Sequence, residues 1–309
     1  MRNMKDIMTK YGVPARDVYE LPTSSLKFAD GANFRMEISG IERPSTMEAM
    51  LNEMEKRNVS IHKAICTVMG ATLLDKSELR AMAEMGKSAK IEMIMTPGPR
   101  PTWDIGRQIA TPEGALSGLN IRGSDQLYYL LLDVERGIEA GFRGFLVWDE
   151  GVLWLLNQMK ENGDIPKDIV FKVSIFAGHA NAAGAKMLER LGATTFNPVA
   201  DLNLAQLGAL RAAVKIPMDI HVYLFDSFGG YNRFWETAEL ARICSPCYFK
   251  IEPGAGMALY KSWVDENSLA FLAREKVKYA QIMKEMVEQL QPELKMSAFG
   301  PPDLSIPQV

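Results

Sequence analysis

The sequence predicts a single α/β domain built as a (β/α)8 barrel, a TIM barrel, with a short N-terminal extension. Three observations predict it. Short strand-like runs alternate with amphipathic helical runs, eight of each, from Phe34 to about Leu290. Within the strands apolar and polar side chains alternate, and the apolar set returns in strand after strand, so that one face is suited to lie under helices. The run Cys247–Gly254 shows the pattern most plainly. Phe249 and Ile251 point one way, Lys250 and Glu252 the other, and Pro253-Gly254 ends the strand. A sheet closed on itself puts the charged faces inside, and this run is the strand that closes it. A doubly wound open sheet is the alternative, but nothing in the pattern shows helices switching face.

Residues 1–33 form the extension. Asn3 to Tyr11 reads as a short helix, and Ser25–Phe28 reads as a strand that pairs with Phe34–Ile38 across Ala29–Asn33, plugging the N-terminal mouth. The strands then follow as Phe34–Ile38, Ser60–Cys66, Ile91–Thr96, Gly144–Asp149, Val170–Phe176, Thr194–Asn197, Met218–Leu224 and Tyr248–Glu252. The intervening helices are Ser45–Arg57, Asp75–Ser88, Ser124–Ala140, Gly151–Glu161, Asn181–Leu191, Leu204–Val214 and Arg233–Ile243, with Ser268–Leu290 last. Ser45-Thr46-Met47-Glu48 has the spacing of a capping box, and Gly192 suits a helix C-terminus. Residues 97–123 are long for a βα connection and read as a lid, whereas 291–309 reads as a proline-punctuated surface tail.

Composition narrows the function. Hydrophobic residues make up 47% and charged residues 24% of the 309, as in an ordinary soluble globular protein. A formal net charge of −3 gives no electrostatic footing for nucleic acid or an anionic membrane, so neither is an expected partner. No apolar run reaches the length of a membrane span, and Met1–Lys10 is too polar for a signal peptide. Three cysteines are too few for a disulfide framework, which makes the cytoplasm the expected compartment. Cys244-Ser-Pro-Cys247 has redox spacing but falls at the end of the barrel opposite the expected site, with no second pair. Homo-oligomerisation stays open.

The inward faces carry the chemistry. By alternation they bring in Arg35 and Glu37, His62, Glu92, Asp149, Lys172 and Ser174, Asn197, Asp219 and His221, then Lys250 and Glu252. Buried charges persist only when paired, so Arg35, Glu92 and Asp219 read as a lower, structural ion-pair layer. Barrel active sites lie at the C-terminal strand ends. The catalytic candidates are therefore Glu37, Asp149, Lys172, His221, Lys250 and Glu252. Opposed carboxylates and lysines in a dry cavity shift one another toward usable acid–base strength. Lys172 or Lys250 is also suited to a Schiff base with a carbonyl substrate. There is no His-x-His or His-Glu-x-x-His pattern for zinc, while magnesium or manganese held through carboxylates stays open. For substrate binding, Arg100 and Arg122 of the long loop offer guanidinium groups, His179 follows the fifth strand and Asn197 ends the sixth. Ser227, Gly229 and Gly230 after the seventh strand and Gly254 after the eighth offer backbone N–H groups where barrels often hold phosphate.

Asn181-Ala-Ala-Gly-Ala-Lys-Met-Leu-Glu-Arg-Leu-Gly-Ala193, a short strand, and then Asp201-Leu-Asn-Leu204 with Leu207 and Arg211 resemble the barrel of the collagenase-like peptidases, family U-32. In that family an acid opens the next strand, and Asp219 matches it. The resemblance spans about Phe171–Tyr223. It implies a barrel and a hydrolase or peptidase acting on a small-molecule or peptide substrate. Other branches of the family modify RNA or assist hydroxylation with cysteine-bound iron–sulfur clusters. Here Tyr223-Leu224 replaces the expected His-Gly pair and the family's following cysteines are missing, so no iron–sulfur cluster is expected. The reading is an enzyme using carboxylate and lysine acid–base chemistry on a small polar or anionic substrate. A lyase or aldolase working through a lysine, and a barrel that binds without catalysis, are the competing classes.

Overall fold

A computed structural model describes residues 3–68, 70–98, 120–226, 229–253 and 264–309. Eight strands close into one parallel barrel in sequence order: β1 (Phe34–Ile41), β2 (Lys63–Cys66), β3 (Glu92–Met95), β4 (Gly144–Val147), β5 (Val170–Val173), β6 (Thr195–Phe196), β7 (Met218–Tyr223) and β8 (Cys247–Ile251). The helices among the described residues are α1 (Met4–Lys10), α2 (Pro44–Arg57), α3 (Lys76–Ser88), α4 (Gly123–Ala140), α5 (Glu150–Asn162), α6 (Ala182–Arg190), α7 (Leu204–Ala213), α8 (Thr237–Cys244) and α9 (Glu266–Leu290). The barrel is thus the (β/α)8 fold expected from the alternation.

Strand parity builds the core. Met36, Ile38, Ala64, Cys66, Met93, Met95, Phe249 and Ile251 face outward into one apolar layer beneath the helices. Phe34 and Phe249 stack in that layer at 5.0 Å between ring centres. Gly86 and Gly137 let α3 and α4 press onto β3. A Cβ at either position would come within 2.4 Å of Met93 or 2.6 Å of Met95. Local signals set the helix ends. Asp75 and Glu78 form a capping box on α3, as Asn203 and Gln206 do on α7.

Several expectations are corrected. Residues 25–28 form no strand, and the N–H of Phe28 donates instead to Ala32 in a turn, 2.9 Å. Both edges of β1 are taken by β2 and β8, which leaves no edge for a hairpin partner. Helix α2 begins at Pro44 and Arg43 makes no side-chain cap, so the Ser45 capping box does not form. Proline suits the first helical position, where its missing N–H costs nothing. The tail 291–309 is folded across the N-terminal mouth. Met296 bridges Phe34, Asp303 meets Arg35 at 2.6 Å, and the Ser305 N–H donates to Glu92 at 3.0 Å. The charged bottom of the barrel needs those partners. Most of the segment expected to form a lid lies outside the described residues.

Candidate active site

The strand register itself assembles the charges. Glu37 lies level with Lys63 on one side and Lys250 on the other, and Lys250 is level with His221. Three ammonium groups converge on the Glu37 carboxylate: Lys172 at 2.9 Å, Lys250 at 3.5 Å and Lys63 at 3.7 Å. Asp219 receives Lys172 at 2.5 Å and Lys63 at 3.2 Å. Lys63 also donates to Thr195 Oγ1 at 3.2 Å, approaches Glu92 at 3.6 Å and lies 3.7 Å from the centre of the Tyr248 ring. Every member of this central cluster is buried.

Burial and pairing pull the ionisations apart. Burial pushes the Asp219 carboxyl up, but Lys172 and Lys63 outweigh it and hold the group down at about 2. Glu37 is raised, because complete burial outweighs the three lysines and Asp219 adds like charge. Lys172 is pushed down to about 8 by burial, with Lys63 and Lys250 close by, against the pull of Asp219 and Glu37. Lys63 goes the other way. Burial lowers it, but Asp219, Tyr248, Glu92 and Glu37 together raise it above the ordinary lysine value.

Above this cluster, toward the C-terminal strand ends, Nε2 of His221 meets Glu252 Oε2 at 3.0 Å and Lys250 lies 3.8 Å from the same oxygen. Burial drives His221 down to about 4, so the imidazole is neutral near pH 7. A neutral ring that donates from Nε2 leaves Nδ1 as an acceptor, and that atom is buried without a hydrogen-bond partner. Asn197 donates to the Asp219 carbonyl, and its own Oδ1 is likewise buried and unpartnered.

Other candidates are placed elsewhere. Asp149 caps α5, accepting from the N–H groups of Val152 (3.1 Å) and Ile121 (2.9 Å), so it does not share the interior with the lysines. Its position just before a helix explains this, since aspartate there satisfies orphan N–H groups. His179 pairs with Glu150 at 2.7 Å beyond β5. Arg122 is the residue before α4, and its Nη1 is buried and has no hydrogen-bond partner among the described residues. The N–H groups of Gly229 and Gly230 are taken by Asp226 and Phe225 within their own turn, which removes them as a phosphate cradle. Arg100, Ser227 and Gly254 lie outside the described residues.

No family model matches the chain, and no curated protein matches it. Similar solved structures include a U32 peptidase, 17% identical at a TM-score of 0.40, spanning 88% of this chain and 85% of that one. Another is D-psicose 3-epimerase from Clostridium cellulolyticum H10, 11% identical at a TM-score of 0.45, spanning 82% and 99%. A third is a dihydrodipicolinate synthase, 12% identical at 0.41, spanning 84% and 85%. At such scores the likenesses say nothing of this chain's chemistry. The barrel is established by its own closed ladder.

Reading the sequence missed three site residues and misplaced a fourth. Lys63, not its neighbour His62, faces the interior. His62 instead accepts the Met36 N–H at Nδ1 (3.1 Å) and donates from Nε2 to the Ser297 carbonyl (3.1 Å) at the barrel floor. Asp219 belongs to the central cluster with Glu37, not to a lower layer with Arg35. Lys276 of α9 is buried and donates to the Ser39 carbonyl, where burial, opposed by Glu252 and Glu42, brings it down to about 8. Thr195 is the remaining omission, as a hydroxyl partner of Lys63. Among the described residues no group of three or more His, Cys, Asp or Glu side chains is arranged to hold a metal ion. The carboxylates of Glu37, Asp219 and Glu252 each face a lysine, whose charge opposes a dication. The three cysteines are buried free thiols, with Cys247 raised well above its ordinary value by burial. No helix among the described residues is long and apolar enough to cross a membrane.

The two buried histidines make a pH prediction. His62 and His221 are each held near 4, below the ordinary 6.5, chiefly by burial. Their contribution to stability is complete above about pH 6.5 and is lost as pH falls toward 4, because the unfolded chain takes up the protons first. Each is worth roughly 3 kcal/mol over that window. Urea titrations at half-unit pH steps should show stability falling from pH 7 to 4.5, more shallowly in His62→Asn. Equal slopes for the two proteins would contradict the assignment.

Proposed function

We propose that this chain is an enzyme that performs acid–base chemistry on a small polar or anionic substrate at the C-terminal mouth of the barrel. The observation that carries it is the His221–Glu252 hydrogen bond of 3.0 Å at the ends of β7 and β8, set above a charge cluster that is already internally paired. Glu252 is the principal acid–base group. His221 donates to it from Nε2 and orients its carboxylate, and Lys250 supplies positive charge beside it. Lys250 and Lys276, with Arg122 at the start of α4, favour a substrate that carries a carboxylate or phosphate. Asp219, Lys63 and Lys172 hold the floor of the site. The resemblance to family U-32 favours hydrolysis: water gives a proton to Glu252 as its oxygen adds to the scissile acyl carbon, and the leaving group takes that proton as its bond to the same carbon breaks.

The test is a panel of small carboxylated and phosphorylated compounds and short peptides, followed by proton NMR with wild type and Glu252→Gln. Turnover of one class by wild type alone supports the reading. Equal turnover by both proteins removes Glu252 from the chemistry.

A lyase working through an interior lysine is the alternative. An amine held near 8, as Lys172 is, has an appreciable free-base fraction at neutral pH. Its nitrogen would add to a substrate carbonyl and lose water to form an imine. Incubation with pyruvate and borohydride should then leave a reduced adduct on the Lys172 peptide, seen by mass spectrometry. An unmodified peptide excludes that route for this keto acid.

A further inference from the structure

Two features on the outer surface complement each other. The first is α1, which buries none of its residues. Met4, Met8 and Tyr11 are 59%, 39% and 65% exposed and recur at helical spacing, forming one apolar stripe with Lys5 and Lys10 beside it. A seven-residue helix is marginal on its own in water, so a stripe of this kind calls for a surface to lie on. The second feature is a groove of about 970 Å³ between α2 and α3. Leu51, Met54, Met85 and the exposed Phe299 make its floor, and Glu55 and Glu84 stand on its rim. Among the described residues that line it none is basic, and Arg80 beside it bonds Glu84 at 3.1 Å.

The groove and the helix cannot meet within one molecule. The extension is tied down where the Val18 N–H donates to the Ala205 carbonyl on α7 (3.0 Å), and Gly12 lies against Lys186 on α6. Helices α6 and α7 follow β5 and β6, whereas α2 and α3 follow β1 and β2, four strands around a closed ring of eight. That is the opposite side of the barrel.

We propose that the chain self-associates head to tail, with the basic, methionine-bearing α1 of one copy seated in the acidic, apolar α2–α3 groove of the next. The occupant is a second copy because the stripe and the groove match in apolar character, and the net charge of α1, Lys5 and Lys10 against Asp6, is opposite in sign to that of the groove, where Glu48 and Glu55 stand beside the Arg80-bonded Glu84. The two patches differ, so the contact is heterologous and builds a ring or an open chain, not a twofold dimer.

The test uses the full chain and two variants altered only at exposed positions, Met8→Glu and the double variant Glu55→Lys/Glu84→Lys. Sedimentation across a range of concentrations should show the weight-average mass of wild type rising with concentration. Each variant alone should associate at least tenfold more weakly, with circular dichroism and melting unchanged. Mixing the two variants is the decisive arm. Met8→Glu keeps a sound groove and the double variant keeps a sound α1, so the mixture should form a pair of one chain of each kind and stop there. A wild type that stays monomeric throughout overturns the proposal. So do variants that associate as wild type does, or a mixture that stays monomeric.

Discussion

Replacing Lys172 by methionine is expected to lower the free energy of unfolding by about 3–5 kcal/mol. The ammonium bridges Asp219 at 2.5 Å and Glu37 at 2.9 Å in the centre of the barrel, where none of the three side chains is more than 1% exposed. Methionine fills nearly the same volume, so little of the loss comes from a cavity. It comes from the carboxylates. Asp219 is held ionised at about 2 by Lys172 and Lys63 together, and one lysine at 3.2 Å cannot replace two. Pairing the change with Asp219→Asn should recover part of the loss, because the stranded charge is then removed. Urea denaturation of the two single variants and the double variant measures the coupling. A loss below about 1 kcal/mol for Lys172→Met would mean that the cluster does not depend on this ammonium.

The second large effect is on catalysis. Glu252→Gln is expected to reduce turnover by about 10²–10⁴-fold, the usual contribution of a positioned general acid or base. The amide keeps the shape of the carboxylate and can still accept from His221, so folding is retained. Stability is unchanged or improved, since groups kept for function are often held at some cost to stability. Turnover within threefold of wild type would place the chemistry elsewhere in the mouth.

How much of this was legible in the residues depends on the length of each strand. In β8 two apolar and two charged side chains alternate without interruption, and the structure keeps that parity: Phe249 and Ile251 lie under the helices while Lys250 reaches Glu37. The closed barrel followed from repetition of the same rhythm. β2 is only four residues long, and its outward members, Ala64 and Cys66, are small. So weak a stripe does not fix the parity, and a shift of one puts His62 in the place that Lys63 holds. The alternation in Gly144–Asp149 carries the strand through Asp149, whereas β4 ends at Val147 and the aspartate caps the next helix. Lys276 was hidden for a different reason. On an amphipathic helix a lysine reads as solvent-facing, and only the packing of α9 against β1 brings its Nζ to the Ser39 carbonyl. The tail looks like surface in the sequence because its partners, Arg35 and Glu92, are remote along the chain.

On this reading the barrel interior divides into a charge cluster that holds the fold and a mouth pair that does the chemistry. Thermal melts of Asp219→Asn and Glu252→Gln, measured side by side at pH 7, test that division most directly. Asp219→Asn removes the carboxylate nearest to both Lys63 and Lys172 and should lower Tm by on the order of 10 °C. Glu252→Gln should melt within about 2 °C of wild type. An Asp219→Asn protein that melts like wild type, beside a Glu252→Gln protein that loses its fold, would reverse the two roles and contradict the account.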